Sequence, residues 1–254
     1  DFLEPATACR VHHALGLPDD CVIYDVSNAC LGILSGALQI ANMIELGQIR
    51  AGVVVGTECG RNLVEGTIAR LNNDTTLSRD DIKYAVASLT IGSASAAMVL
   101  CDAEVSRTAN RLLGGAVHCR TEHHALCQSD GLEELMRTDS EKLMHEGIAT
   151  GAATFDRLTE ELGMSADQFD RTFCHQVGVA HRKLLFERLA LDPAKDFPTL
   201  EVLGNTGSAA LPVTMAMGLE AHATLPGSKI AMLGIGSGIN CVMLAAEWQQ
   251  TRVA

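Results

Sequence analysis

Two stretches of the chain follow one order: a turn of small residues, a helical apolar pattern, then a short apolar run of strand type. In the first stretch the helical pattern covers residues 31–46 and the strand-like run covers 51–56. In the second, a turn at 203–208 precedes a helical pattern at 209–221 and a run at 229–233. This alternation predicts an α/β fold built in layers. The 4% aromatic content and 23 glycines favour such a fold over a large β-sandwich, since small residues let helices and strands approach closely.

The remaining elements are predicted from the same two periodicities. Strands are expected at residues 21–26, 94–101, 112–118, 173–176 and 240–247, helices at 140–162 and 179–189, and a polar turn at 72–81. No low-complexity linker or charge block divides the 254 residues. We therefore take the repeated order as the sign of two halves, residues 1–125 and 126–254.

The composition excludes several classes of function. The formal net charge of −12 argues against a nucleic-acid surface, because such surfaces are basic. No apolar run approaches the roughly 18 residues that a membrane span needs. The nine cysteines are odd in number and scattered, and no secretion signal opens the sequence. We therefore expect reduced thiols and a cytoplasmic protein.

Cys30 lies where the predicted strand 21–26 gives way to a helical pattern. A cysteine at a helix N-terminus experiences the positive end of the helix dipole, which lowers the thiol pKa and favours the thiolate. Unpaired backbone N–H groups at the same place can bind an oxyanion. An acyl-transfer nucleophile needs both features. However, most free cysteines are small core residues, so position alone does not establish a function.

Three other motifs could carry chemistry: His175 in FCHQVG, Asn205 in LGNTGS, and the glycine run GIGSG at 234–238. Their ordinary alternatives are a core histidine, a turn or helix-cap asparagine, and a tight turn after a strand. The glycine run lacks the full G-x-G-x-x-G pattern, and no helix with an acidic residue follows it. We therefore reject dinucleotide binding. Glycines there can instead bring backbone amides close to a ligand.

Together and in this order, the strings DVSNACLG, CHQVG, GNTGSAALP and LGIGSGIN resemble the ketoacyl-ACP synthase III branch of the thiolase superfamily. His175 and Asn205 are 30 residues apart, which suits the Cys-His-Asn triad of that family. The opening DFLEPATA and the segment ANMIELG narrow the resemblance to the OleA family, acyl-CoA condensing enzymes of bacterial long-chain olefin synthesis. The resemblance implies a five-layered α-β-α-β-α thiolase fold made of two similar halves. Family members begin with further strand–helix units, so we expect the N-terminal half to be incomplete here.

The resemblance also implies roles for the cysteine and the glycine run. Cys30 would attack an acyl-CoA and hold the acyl group as a thioester. The thioester oxygen would bind the N–H of Cys30 and a backbone N–H of the loop formed by Gly236, Ser237 and Gly238, namely that of Ser237. A serine fits inside this loop only if its backbone dihedral is an ordinary one. Coenzyme A enters as part of the substrates, and neither a separate cofactor nor a metal is implied.

The condensation step is implied to use three other residues. His175 and Asn205 would donate hydrogen bonds to the carbonyl of the second acyl-CoA as its α-carbon becomes nucleophilic. Where no CO₂ is lost, that carbon must give a proton to a carboxylate or thiolate base. In the OleA family this base is the Glu of the LEP motif, here Glu4, which reaches into the partner subunit's site. The implied protein is a homodimer that condenses two fatty acyl-CoAs to a β-keto acid. By itself, Glu4 is indistinguishable from an exposed terminal carboxylate.

Two other functions stay open. A decarboxylative β-ketoacyl-ACP synthase III would use malonyl-ACP as its second substrate and would need no base at the α-carbon. A non-catalytic subunit would only shape a heterodimer, although the presence of all four candidate residues argues against it. Papain-like proteases also use Cys, His and Asn, but the GNTGS and GIGSG contexts are not theirs.

The segment at 119–127, CRTEHHALC, is the one candidate metal cluster. Its C-x₃-H-H-x₂-C spacing fits no zinc motif, so we predict that no metal binds there. We interpret the segment instead as a loop near the mouth of the active site.

Overall fold

A computed structural model of the chain describes residues 4–129 and 136–251. The helices are α1 (Ala8–Leu15), α2 (Gly32–Glu45), α3 (Arg61–Asn73), α4 (Arg79–Ala85), α5 (Ser140–Leu162), α6 (Val179–Leu189), α7 (Leu200–Leu203) and α8 (Ala210–Ala221). The strands are β1 (Ala51–Glu58), β2 (Ala94–Cys101), β3 (Arg111–Cys119), β4 (Cys127–Ser129), β5 (Met136–Thr138), β6 (Arg171–Cys174), β7 (Ser228–Gly236) and β8 (Asn240–Trp248). A short 3-10 turn, Ala29–Leu31, leads directly into α2.

The largest sheet has four strands in the order β3-β8-β7-β6. β6 runs parallel to β7, whereas β8 is antiparallel to both of its neighbours. β1 and β2 form a separate antiparallel pair, and β4 pairs with β5. A mixed four-stranded sheet with intervening helices confirms the predicted α/β class.

Helices α2 and α8 lie between the two larger sheets. α2 packs on β1, β2 and β8, and α8 contacts β2, β6 and β7. On the other face of the four-stranded sheet, α5 packs against β3, β8 and α6. The layers therefore run sheet, helices, sheet, helices, which are four of the five predicted layers. Within the described ranges no helix packs extensively on the outer face of β1 and β2, where Val99 is 72% exposed.

Strand β7 joins the two apolar cores of the protein. One core lies between the four-stranded sheet and α5, and it includes Phe155 and Leu233. The other lies between the same sheet and helices α2 and α8, and it includes Leu34 and Met232. Successive side chains of a strand point to opposite faces, so Met232 and Leu233 serve different cores. A strand covered on both faces is a near-continuous apolar run, as β7 is from Ile230 to Gly236.

Several predicted elements are confirmed. The helices expected at 140–162 and 179–189 coincide with α5 and α6, and the strand expected at 94–101 coincides with β2. The run expected to end at residue 233 continues as β7 through Gly236, because Gly236 still pairs with Asn240 of β8. Two glycines assigned to a loop are therefore strand residues.

The strand predicted at residues 21–26 is wrong. These residues pair with no strand in the described part of the chain, and the side chains of Val22, Ile23 and Tyr24 are exposed. An apolar run forms a strand only where a neighbour satisfies its backbone N–H and C=O groups. The run at 51–56 does form β1, which is only partly buried because it has a single partner strand and one open face. Helices α3 and α4 were not predicted.

The division of the chain at residue 125 stays a prediction. β3 precedes that boundary and pairs with β8, which follows it. Residues 1–3 of the DFLEPATA motif lie outside the described residues. Of the helices described, none combines the length and hydropathy that crossing a membrane requires.

The turn that carries Cys30 packs directly on the C-terminal end of β7. A methyl group added at Gly234 would lie 2.5 Å from Leu34 Cδ1 and 2.6 Å from the carbonyl oxygen of Val242. A methyl group added at Gly236 would lie 3.0 Å from Leu31 Cγ. Such distances leave no room for a side chain. The two glycines therefore set how closely α2 and its preceding turn approach the sheet.

We predict that Gly234→Ala destabilises the protein by about 1–3 kcal/mol, because the added methyl group overpacks the contact between β7 and α2. Urea unfolding measures the change. Gly147→Ala is the matched control, since Gly147 lies inside α5 and an added methyl group there would have its nearest neighbours at 3.7 and 3.8 Å. The control should be neutral or stabilising, by up to about 1 kcal/mol. Equal unfolding midpoints for the two variants would contradict the prediction.

Candidate active site

Cys30 occupies a tight turn at the start of α2. Ala29 adopts a left-handed backbone conformation with φ of 44°, and the 3-10 turn then places the half-buried Cys30 against β7. A methyl group added at Gly236 would lie 3.7 Å from Cys30 Cβ, so the thiol stands beside the glycine loop. The prediction that Cys30 lies at a junction leading into a helix is confirmed, although no strand precedes it.

The predicted lowering of the Cys30 pKa is wrong for the free protein. Burial of the thiol raises its pKa to about 12, and the nearby Cys127 and Glu58 raise it further. The backbone hydrogen-bonding contribution lowers the pKa but is the smallest of the four effects. Desolvation disfavours the charged form of any buried thiol and here exceeds the effect of the helix N-terminus. Cys30 is therefore a neutral thiol at physiological pH before substrate binds.

His175 directly follows β6 and is 5% exposed. Its backbone N–H donates to the carbonyl oxygen of Leu233 at 3.0 Å, which fixes the histidine beside β7. Burial lowers the pKa of the imidazole to about 3, and the neighbouring His181 contributes in the same direction. Nδ1 is buried and has no hydrogen-bond partner among the described residues. A neutral imidazole carries one N–H, which is the donor that a substrate carbonyl would need.

Asn205 lies in a turn held by backbone bonds to the segment before β2. Its N–H donates to the carbonyl oxygen of Thr90 at 2.8 Å, and its carbonyl oxygen accepts from Gly92 N–H at 2.9 Å. The side-chain oxygen Oδ1 accepts from the backbone N–H of Gly207 at 3.1 Å. Because Oδ1 is occupied in this way, the amide group Nδ2 is left as the free donor of the side chain. This orientation leaves Nδ2 available for the donor role that the family resemblance implies for Asn205.

The glycine loop is tied to the cysteine turn by a chain of side-chain amides. Asn240 Nδ2 donates to Asn28 Oδ1 at 3.2 Å and to the carbonyl oxygen of Ser237 at 3.4 Å. Asn28 Nδ2 donates in turn to Ser35 Oγ at 2.9 Å. Gly238 takes the left-handed conformation with φ of 131°, whereas Ser237 does not. The condition under which a serine fits this loop is therefore met.

The segment at 119–127 lies beside the site, as predicted. Arg120 and Ile239 exchange two backbone hydrogen bonds of 2.9 and 3.2 Å just after the glycine loop. Arg120 also forms an ion pair with Glu146 at 2.8 Å. Cys127, at the end of the segment, is close enough to influence the pKa of Cys30. No group of three potential metal ligands was found within residues 4–129 and 136–251.

Glu4 is not brought to the other three candidates within one chain. Its side chain is exposed, and no hydrogen bond or ion pair joins it to Cys30, His175 or Asn205 among the described residues. The helix that follows it is tied to Asp25, whose carboxylate accepts from the N–H groups of Thr7 and Ala8 at 2.7 and 2.8 Å.

Sequence reasoning missed Glu58 and Ser208. Glu58 ends β1, and its Oε1 accepts from Ser208 Oγ at 2.6 Å and from Ser208 N–H at 3.0 Å. The two residues are 150 positions apart, so no local pattern could have paired them. The available signal was a charged residue two positions after the apolar run 51–56, where strand ends commonly carry functional groups.

The comparison with known proteins assigns the family. Residues 159–248 match the family described as 3-oxoacyl-[acyl-carrier-protein (ACP)] synthase III C terminal. The chain is 43% identical to the acyl-CoA:acyl-CoA alkyltransferase of Shewanella oneidensis, over 98% of this chain and 73% of that protein. The chain belongs to this alkyltransferase family. Membership of this family confirms the predicted relationship of the chain to thiolase-superfamily condensing enzymes.

Solved structures of an alkyltransferase relative, Xanthomonas campestris OleA, share the fold. A variant with its cysteine changed to alanine matches with a TM-score of 0.93 and 34% identity, over 98% of this chain and 71% of that one. Further structures of that enzyme carry changes at a glutamate and at a histidine. The altered glutamate precedes the altered cysteine by 26 residues, and Glu4 precedes Cys30 by the same number. The β-ketoacyl-[acyl-carrier-protein] synthase III of Bacillus pumilus is more distant, at 25% identity over 98% of this chain and 73% of that protein.

We predict that iodoacetamide alkylates Cys30 at least about tenfold more slowly than the exposed Cys21 and Cys59 at pH 7.5, because only the thiolate reacts and burial raises the pKa of Cys30. Mass spectrometry of the digested protein follows the three cysteines in one sample. The exposed cysteines serve as internal controls, and labelling of Cys30 at their rate would refute the prediction.

We predict that the free energy of unfolding falls as the pH drops from about 6.5 towards 4. The pKa values of His175 and His181 are about 3 and about 4 in the folded protein. The unfolded histidines take up protons near pH 6.5, so acid stabilises the unfolded state. Each histidine lowers the free energy of unfolding by at most about 1.4 kcal/mol for each pH unit of acidification.

Urea unfolding at pH 7, 6 and 5 measures this dependence. His181→Gln should make it shallower by the contribution of one histidine. His13→Gln, at an exposed position, should leave the pH dependence unchanged. A His181→Gln variant with the wild-type pH dependence would show that burial does not suppress this titration.

Proposed function

We propose that this protein catalyses a Claisen condensation of two fatty acyl-CoAs to a β-keto acid, with Cys30 as the acyl carrier. The observation that carries the proposal is the placement of Cys30 and His175 beside β7, in a chain of the alkyltransferase family. Asn205 stands just before the 3-10 turn Gly207–Ala209, which contacts the turn Ala29–Leu31. The neutral histidine and the oriented asparagine amide supply two uncharged donors. Two such donors suit a carbonyl oxygen on which negative charge develops.

In the first half-reaction the sulfur of Cys30 attacks the thioester carbonyl of the first acyl-CoA. The new S–C bond forms as the bond to the CoA sulfur breaks, and the proton of the Cys30 thiol leaves with CoA as its free thiol. The N–H groups of Cys30 and Ser237 bind the oxyanion, and the Asn240–Asn28 hydrogen bond holds their two turns together. A donor of this kind is typically worth about 3–4 kcal/mol in the transition state.

In the second half-reaction His175 and Asn205 donate to the carbonyl oxygen of the second acyl-CoA. Removal of its α-proton gives a carbanion that attacks the Cys30 thioester. The carbon–carbon bond forms, Cys30 leaves as a thiolate and recovers a proton, and the product is a β-ketoacyl-CoA. Water then releases CoA to give the β-keto acid.

We assign removal of the α-proton to Glu4 of the partner subunit in a homodimer. The equal 26-residue spacing in Xanthomonas campestris OleA supports this assignment. Glu4 is exposed, so a partner chain can reach it. We place the protein in the cytoplasm, because all nine of its cysteines are free thiols.

The second candidate is a decarboxylative β-ketoacyl-ACP synthase III. It is favoured by the synthase III match at residues 159–248, which both kinds of enzyme can satisfy. It is also favoured by a structure from Xanthomonas oryzae described as 3-oxoacyl-(acyl carrier protein) synthase III, which is 35% identical to this chain with a TM-score of 0.92. It requires malonyl-ACP, releases CO₂ and does not depend on Glu4. Its Bacillus pumilus representative is 25% identical to this chain, against 43% for the Shewanella alkyltransferase.

We predict that the purified protein, mixed with myristoyl-CoA alone, releases free CoA and forms a 28-carbon β-keto acid. Cys30→Ala should abolish both products and the acyl adduct that mass spectrometry detects on Cys30. Glu4→Gln should keep the adduct and lose the condensation product, because a neutral amide cannot take the α-proton.

Three outcomes would contradict this assignment. Product that appears only with malonyl-ACP would identify the decarboxylative enzyme. A folded protein that never acquires the adduct would indicate a non-catalytic subunit. A Glu4→Gln variant that condenses at the wild-type rate would exclude Glu4 as the base.

A further inference from the structure

Glu58 connects the end of β1 to the turn that carries Asn205. One carboxylate oxygen, Oε1, receives both the hydroxyl and the backbone N–H of Ser208. Ser208 is the second residue of the 3-10 turn Gly207–Ala209, which leads into α8, so this carboxylate accepts hydrogen bonds at the start of a helical segment. Hydrogen bonds to a charged acceptor are the stronger kind in proteins.

The turn is shaped to fit this carboxylate. Gly207 has φ of 56°, and a methyl group added there would lie 2.7 Å from Glu58 Cδ. A methyl group added at Gly56 of β1 would lie 3.0 Å from Ser208 Oγ. Only glycine at these two positions lets β1 and the turn come close enough for the hydrogen bonds to form.

The two hydrogen bonds from Ser208 to Glu58, here called the Glu58 clamp, act on Asn205 through adjacent residues. Gly207, whose N–H holds Asn205 Oδ1, is bonded directly to Ser208, which Glu58 holds. The only other bonds that fix Asn205 in the described structure are its backbone contacts with Thr90 and Gly92. Those contacts locate the main chain of Asn205, whereas the Glu58 clamp locates the N–H that orients its amide.

We propose that Glu58 is a positioning residue for the condensation half-reaction, holding the Asn205 amide where it can donate to the second acyl-CoA. This inference rests on the proposed function and adds a residue outside the four candidates identified in the sequence. It predicts that loss of the clamp separates the two half-reactions. Acylation of Cys30 does not use Asn205, whereas condensation does.

The charge of Glu58 has a second, separable effect. A carboxylate near Cys30 opposes formation of the thiolate, and it contributes to the raised pKa of that thiol. Glu58→Gln keeps an oxygen that accepts from Ser208 but removes the charge. Glu58→Ala removes both the clamp and the charge. The two variants therefore distinguish hydrogen-bond positioning from electrostatics.

The experiment uses myristoyl-CoA with the complete protein and measures two readouts. The first is the rate at which the acyl adduct forms on Cys30, and the second is kcat for the condensation product. Glu58→Ala should keep acylation and lower kcat for condensation by roughly tenfold to a hundredfold, as a misplaced catalytic group does. Glu58→Gln should recover most of the condensation rate. It should also shift the pH profile of Cys30 alkylation towards lower pH.

Two controls accompany these variants. Glu45→Ala removes an exposed carboxylate from the end of α2 and should change neither readout. Ser208→Ala keeps the backbone N–H bond but loses the hydroxyl bond, so it should lower condensation less than Glu58→Ala while leaving acylation intact. If urea unfolding shows that Glu58→Ala does not fold, Ser208→Ala tests the inference in its place.

The inference is overturned if folded Glu58→Ala, or Ser208→Ala in its place, condenses at the wild-type rate. It is also overturned if acylation and condensation fall by the same factor, since that result indicates general damage to the fold. A wild-type protein that neither forms the adduct nor releases CoA would instead refute the proposed function, which keeps the two failures distinct.

Discussion

The whole site depends on one close contact, that of the cysteine turn with the C-terminal end of β7. Gly234 and Gly236 remove the side chains that would otherwise separate Leu31 and Leu34 from the strand. The apolar contact buries both leucines completely or nearly so, and its position fixes the height of Cys30 above the sheet. A shift of about an ångström there would carry the nucleophile away from every partner that reaches it.

The remaining groups approach this contact from independent elements. His175 follows β6, which lies next to β7 in the sheet, and Asn205 comes from the turn before α8. Each is held by main-chain bonds to a neighbouring segment rather than by side chains alone. Backbone anchoring leaves the functional atoms free for a ligand, at the cost of desolvating them. The lowered pKa of His175 and the raised pKa of Cys30 are the electrostatic result of that desolvation.

The sequence predicts the parts of this protein whose signals are local. Helix α5 and strand β2 follow directly from periodicity, and Cys30, His175 and Asn205 stand in short motifs whose order is specific. The strand predicted at residues 21–26 was wrong because a strand needs a hydrogen-bonded partner strand, and local periodicity gives no information about one. The prediction of a lowered Cys30 pKa was wrong because the sequence shows that the cysteine lies at a helix N-terminus but does not show how deeply packing buries the thiol. Glu58 was missed because its partner lies 150 residues away.

The hydrogen bond between Asn240 and Asn28 joins residues 212 positions apart. The cysteine turn and the glycine loop are therefore not held together in a nascent chain until β8 has been synthesised and has paired with β7. Until then Cys30 lacks the full burial that raises the pKa of its thiol. A fall in the alkylation rate of Cys30 is therefore a reporter of completed folding.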